Sequence, residues 1–201
     1  MTDLRGLEAK ALLQGGYFDR ADALAYGVND RLLAYHTAAG RFAREFPGVY
    51  RLRHAPISLF DDYWRAWVWS NYRGAISHES ALLLYDLSDV LPSKVHLTVP
   101  LQFNRRAPAS YVMHRARLHP DEITIREGIS VTAPARTIVD AAAYGTDPEQ
   151  IQLAVRQALD RALTSEAALR FAAGRAGYRH SRNVRRLLEG AMRPETAHAV
   201  S

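Results

Sequence analysis

The chain has 201 residues, 48% of them apolar, which permits a core of ordinary size in one large domain or in a small one joined to a medium one. It has no cysteine, which excludes disulfides, thiolate zinc sites and a cysteine nucleophile; with no apolar run near the ~20 residues of a membrane span and no signal-peptide pattern around Asp3, Glu8 and Lys10, a cytoplasmic protein is expected. The net charge is +5, and all but two of the 26 basic residues (Lys10 and Lys94) are arginines, whose planar fork fits phosphates and guanine edges, although a GC-rich genome favours the same bias.

Residues 4–13 have helical spacing, with Leu4, Leu7, Ala11 and Leu13 assigned to one face, and Gly15-Gly16 stops them. A short extended pair, Tyr17-Phe18, follows. Asp19 is a good N-cap for a helix over 20–26, with Asp22 in its first turn, and Gly27 closes it. Asn29 caps a helix over 30–39 that Gly40 ends. Residues 41–46 and 49–53 form a hairpin around Pro47-Gly48, and Ala55-Pro56 marks a boundary.

Beyond Pro56 the pattern predicts an aromatic-rich helix over 61–72 with Trp64, Trp67 and Val68 on one side, a short extended pair at 75–76, and a helix over 78–85. Strands are expected at 95–99, 111–114, 123–125 and 129–131, the last two joined by a tight turn at Glu127-Gly128. Residues 95–99 alternate, which supports the strand there. Helices are expected over 134–143 and from Asp147-Pro148, where Ile151, Val155, Leu159 and Leu163 recur every four residues, and two short ones over 166–173 and 181–191 end the chain. The fold class is therefore α+β: a winged helix-turn-helix over 1–56, then a mixed α/β domain over 57–201 with strands about 93–132 and a helical end.

In such a module the second helix of the pair enters the major groove. Placing Leu33, His36 and Thr37 inward leaves Arg31, Ala34, Tyr35 and Ala38 facing out. Arg31 is the candidate for a bidentate guanine contact or a phosphate clamp, and Tyr35 for a thymine methyl or a phosphate. Asn29, at the helix start, and Arg41, Arg44, Arg51 and Arg53, flanking the wing, complete the candidate DNA-binding set. A winged helix that binds only protein remains open at this point.

Several separated motifs resemble AbiEi-type antitoxins. They are Gly16-Tyr17-Phe18, Ala21 to Leu24, Gly27-Val28, Gly40-Arg41-Phe42 and Pro47-Gly48-Val49-Tyr50-Arg51-Leu52. Further on come Ile76-Ser77-His78-Glu79-Ser80-Ala81, Val95-His96-Leu97-Thr98-Val99-Pro100, His114-Arg115, and the segment from Gly128 through Thr132-Ala133-Pro134-Ala135-Arg136-Thr137 to Asp140. The resemblance spans about residues 14–165. It implies an antitoxin paired with a nucleotidyltransferase-like toxin from the adjacent gene. The N-terminal domain would repress its own operon by binding promoter inverted repeats, and the C-terminal domain would oppose the toxin, in the type IV description without a stable complex. Relatives often carry arginine at the outward positions occupied here by Ala34, Tyr35 and Ala38.

Enzyme motifs are incomplete. His78-Glu79 begins a zinc-protease pattern, but Leu82 stands where the second histidine belongs. Phosphate-binding glycine loops, nucleophile elbows and kinase signatures are missing, so no cofactor or metal is expected. The alternative from another class is a catalytic antitoxin, an atypical serine/threonine kinase modifying its toxin, for which Lys94 and Asp140 are the only options as phosphate-binding base and metal-binding acid. Two arginine-rich stretches, Arg105, Arg106, Arg115 and Arg117, and then Arg175, Arg179, Arg182, Arg185, Arg186 and Arg193, are candidates for extra DNA contacts or an acidic partner, against the simpler reading of a solvated face.

Overall fold

A computed structural model describes residues 1–175 and 181–192, without the side chains of 181–183. The chain forms two compact units: one of Met1–Ile76, Leu97–Leu118 and Ile125–Val131, the other of Ser77–His96, His119–Thr124 and the chain from Thr132 onward. No described helix is long and apolar enough to cross a membrane.

In the first unit, α1 (Leu4–Leu12) starts at Asp3, whose carboxylate accepts from the Gly6 N–H at 2.8 Å. It buries Leu7 and Ala11, one turn apart. Leu13, assigned by spacing to the same face, is 81% exposed, because it lies about 200° around the helix from Ala11. After β1 (Tyr17–Asp19), Asp19 caps α2 (Arg20–Ala25) in a reciprocal box with Asp22. Gly27, at φ +74°, turns the chain, and Val28 plugs the core behind it. Asn29 caps α3 (Asp30–Ala38) by accepting from the Leu32 N–H at 3.1 Å.

The hairpin of β2 (Phe42–Phe46) and β3 (Val49–Leu52) joins β1 in a three-stranded antiparallel sheet of order β1-β3-β2. Leu7, Ala11, Phe18, Ala23, Val28, Leu33, Phe42, Tyr50, Leu52 and Ala55 make a core of their own. Phe18 stacks on Tyr50 and meets Phe42 edge-on. Gly27→Ala tests how this module depends on its turn: an added Cβ would sit 2.7 Å from the Met1 carbonyl oxygen, on top of the left-handed backbone. The expected loss is about 1–3 kcal/mol in denaturant unfolding; a neutral result would show that the turn relaxes freely.

Helix α4 (Asp61–Trp69) packs behind the module, burying Trp64, Val68 and Trp69, with Trp67 half-buried. Tyr17 donates to Asp61 at 3.1 Å, and Trp64 fills the space a Cβ on Gly15 would need. A five-stranded sheet follows: β4 (Ala75–Ile76), β5 (Val95–Val99), β6 (Tyr111–Arg115), β7 (Ile123–Arg126) and β8 (Ile129–Thr132), in the order β6-β5-β4-β8-β7. Strand β4 runs antiparallel to β5 and parallel to β8. Strand β5 lies where the alternation places it, and all five of its residues are buried, the polar His96 and Thr98 included. Glu127 and Gly128 both have positive φ, as the tight turn between β7 and β8 requires.

The second unit is mainly helical: α5 (His78–Leu84), a 3-10 turn at Pro120–Glu122, α6 (Pro134–Tyr144), α7 (Pro148–Asp160), α8 (Glu166–Arg175) and α9 (Ser181–Ala191). The buried face of α7 is Ile151, Ala154, Val155 and Ala158, while Leu159 and Leu163 are half-buried. A strict four-residue series drifts about 40° per step around a helix, so Leu159 leaves the core face and alanines take its place, while Leu163 lies past the helix end at Asp160. At the centre, Arg136 Nε donates to both Asp140 oxygens at 2.8 Å and its fork reaches Glu122 at 3.1 Å, all three being buried.

Candidate nucleic-acid interface

The outward face of α3 is built from its cap inward. With Asn29 fixing the start and Leu33 1% exposed beneath, Arg31, Ala34, Tyr35 and Ala38 are left at the surface. Thr37 turns its hydroxyl back to the Leu33 carbonyl at 2.7 Å, and His36 packs between Tyr35 and Phe42. Burial, and then the Arg41 charge, lower the His36 pKa, so this imidazole is neutral near pH 7. Tyr35 is 65% exposed. A feature that helix pattern alone did not reveal is the forked ion pair of Arg20 with Asp30, both bonds 2.6 Å long, in which the arginine hydrogen bonds lower the Asp30 pKa. It offsets the one acid in the first turn of α3, beside Arg31. A charged Asp/Arg pair ten residues apart, each next to a helix start, is the only sequence trace it leaves.

The wing divides its arginines. Arg44 and Arg53 are exposed, and Arg41, also exposed, pairs loosely with Glu8 at 3.5 Å. Arg51 is a correction to the expected phosphate-gripping set. Its guanidinium donates to the carbonyls of Leu52, Ala55 and Pro56, lies 3.3 Å from Asp61 and covers the Tyr17 ring. It faces α4 because β3 is the central strand of its sheet, with one side against that helix. Asn29 likewise spends its side-chain oxygen on the cap.

Among the later arginines, Arg105 is a second correction to the list of free contacts: it donates to the carbonyls of Trp69 (2.5 Å) and Pro47 (2.9 Å) and to Asn71 Oδ1 (2.9 Å). Burial lowers its pKa, yet it stays charged at any physiological pH. Arg115 donates to the Phe103 carbonyl at 3.1 Å but is otherwise at the surface, with Arg106 and Arg117. In the second unit Arg185 and Arg186 are exposed on α9, opposite buried Val184, Leu188 and Ala191. The side chain of Arg182, and residues Arg179 and Arg193, lie outside the described residues. Of the two residues considered for catalysis, one is buried in an ion pair and the other is exposed. Asp140 is 0% exposed with both oxygens held by Arg136, which closes it to a metal ion, and Lys94 is an exposed residue at the start of β5.

A capped helix pair with a β-wing and arginines on its open side defines a protein of the winged helix-turn-helix class. The family profile described as "Transcriptional regulator, AbiEi antitoxin" matches residues 7–53, and that of the "AbiEi antitoxin C-terminal domain" matches residues 74–190. The chain belongs to the AbiEi antitoxin family. Among solved structures it is similar to the RV2827C protein from Mycobacterium tuberculosis, with a TM-score of 0.59 and 17% identity over 94% of this chain and 77% of that one, a likeness of fold. A comparison with curated proteins finds no match.

Proposed function

We propose that this protein is a cytoplasmic antitoxin that represses its own operon by binding inverted repeats in the promoter, and that counteracts a nucleotidyltransferase-like toxin encoded beside it. In this reading residues 1–56 carry the DNA-binding role and residues 57–201 the antitoxin role. The observation that carries the proposal is the open face of α3, where Arg31 is exposed beside Ala34, Tyr35 and Ala38 and continues into exposed Arg41, Arg44 and Arg53 of the wing. Two small side chains let the helix approach base edges closely, and the arginines supply the phosphate and guanine contacts. The two family matches, divided between 7–53 and 74–190, support the division of roles.

A salt titration of binding to the upstream DNA tests it. With Arg51 engaged inside the protein, Arg31, Arg41, Arg44 and Arg53 leave about four phosphate-neutralising groups per protomer. The slope of log K against log salt should then be about −3 to −4 for each bound protomer. A slope near zero, or equal affinity for unrelated DNA, would show that the winged helix serves protein contacts instead.

A further inference from the structure

The wing of this protein does not stand free. Its turn residue Pro47 has its carbonyl held at 2.9 Å by Arg105, which reaches over from the loop between β5 and β6. The same guanidinium holds the Trp69 carbonyl at the end of α4 and the side chain of Asn71, and lies over the Trp69 ring at 5.1 Å. Asn71 and Tyr72 are consecutive left-handed residues, at φ 55° and 59°, so the clamp grips two tight turns at once. Register slips in β2 between Arg44 and Phe46, a bulge that re-aims the strand. Past it, Phe46 meets Tyr111 edge-on at 5.7 Å and lies under Arg65, which also pairs with Glu45 at 3.5 Å. Trp69, Phe103 and Tyr111 complete the aromatic platform. One side of the wing is thus fastened within the first unit, while Arg44, one residue before the bulge, keeps its exposed position.

We propose that Arg105 is a positioning residue for DNA binding: its three-way clamp on the wing turn sets where Arg44 meets the phosphate backbone. The inference rests on the DNA-binding reading above and deepens it. Arginine is suited to the role because a planar fork can serve three fixed acceptors at once, whereas a lysine ammonium on a flexible stem cannot hold them in one plane. Its hydrogen-bond partners are two carbonyls and an amide oxygen, and its charge strengthens those hydrogen bonds.

Two measurements on the full-length protein test it. In amide hydrogen exchange without DNA, Arg105→Ala should raise exchange at residues 44–50 several-fold, leave α1 and α3 unchanged, and Arg105→Lys should fall between. In a double-mutant cycle on operator binding, Arg105→Ala alone should weaken binding about tenfold, and far less when Arg44 is already alanine, because the clamp then positions nothing. Unchanged exchange overturns the clamp. Faster exchange with additive effects in the cycle overturns the positioning role and makes Arg105 a local structural tie. Should wild-type protein bind no upstream DNA, the repressor reading falls, and the positioning proposal with it, whatever the exchange shows. Arg105→Lys covers the case in which the alanine variant fails to fold.

Discussion

Replacing Asp140 by alanine should destabilise the protein by about 3–5 kcal/mol, the largest effect expected of any single change in the second unit. Asp140 is 0% exposed, Arg136 6% and Glu122 8%, so the charges have little water to fall back on. Arg136 gives two hydrogen bonds of 2.8 Å to Asp140 and one of 3.1 Å to Glu122. Glu122 is itself tied into the 3-10 turn, accepting from the His119 N–H at 2.8 Å, while its own carbonyl accepts from Ala133 at the entry to α6. The cluster therefore ties the 3-10 turn before β7 to the helix that follows β8. Removing Asp140 leaves a buried guanidinium without its bidentate partner, and the cost is that of an uncompensated charge, not of one lost hydrogen bond. The double replacement Arg136→Met with Asp140→Leu removes both desolvated groups and should recover most of the loss. Urea unfolding of the three proteins checks this; a single-variant cost under about 1 kcal/mol would mean that water reaches the cluster. Asp140→Asn, which keeps the shape, also bears on the catalytic alternative, since a folded variant that still protects cells has no metal-binding acid at that position.

The N-terminal module was legible to within a residue or two because each boundary has a local chemical signal. Asp19 and Asn29 cap, Gly27 and Gly48 turn, and the buried residues between them repeat at the period of the element they occupy. The inward and outward faces of α3 followed from the same periodicity. Periodicity misled at the end of α7, where Leu159 turns partly away from the core and Leu163 falls beyond the helix. The division of labour among arginines was less accessible. Arg44 and Arg51 belong to the same hairpin and look alike in sequence, yet Arg51 is bound by Asp61 and three backbone carbonyls. Carbonyl acceptors belong to every residue and leave no compositional mark. The carbonyls that hold Arg51 lie just beyond it in the chain, whereas those that hold Arg105 come from distant segments, which no local pattern encodes.

Repression and protection are expected to come apart in the full-length protein, and point substitutions are the cleaner way to separate them because α4 and most of the five-stranded sheet share a compact unit with the winged helix. Arg31→Ala should cost about 1–3 kcal/mol on the operator and relax base preference if it reads a guanine edge. Arg44→Ala should weaken all DNA alike and reduce the salt slope by about 0.9, because phosphates carry no sequence information. Both side chains are at the surface, so neither change removes packing. Together they should abolish repression of a promoter reporter while cells expressing the toxin still grow. The opposite lesion lies on α9, where Arg185 and Arg186 are exposed within the segment matched by the antitoxin domain. Reversing both to glutamate leaves the buried Val184, Leu188 and Ala191 in place but inverts the charge offered to an acidic partner. Protection should fall and repression should persist. If the α9 reversal instead releases the promoter with protection intact, those arginines are DNA contacts, and the interface extends beyond the winged helix. If the Arg31 and Arg44 double variant, expressed at wild-type level, fails to protect, antitoxicity depends on the same surface as DNA binding, and the assignment of separate roles to residues 1–56 and 57–201 is wrong.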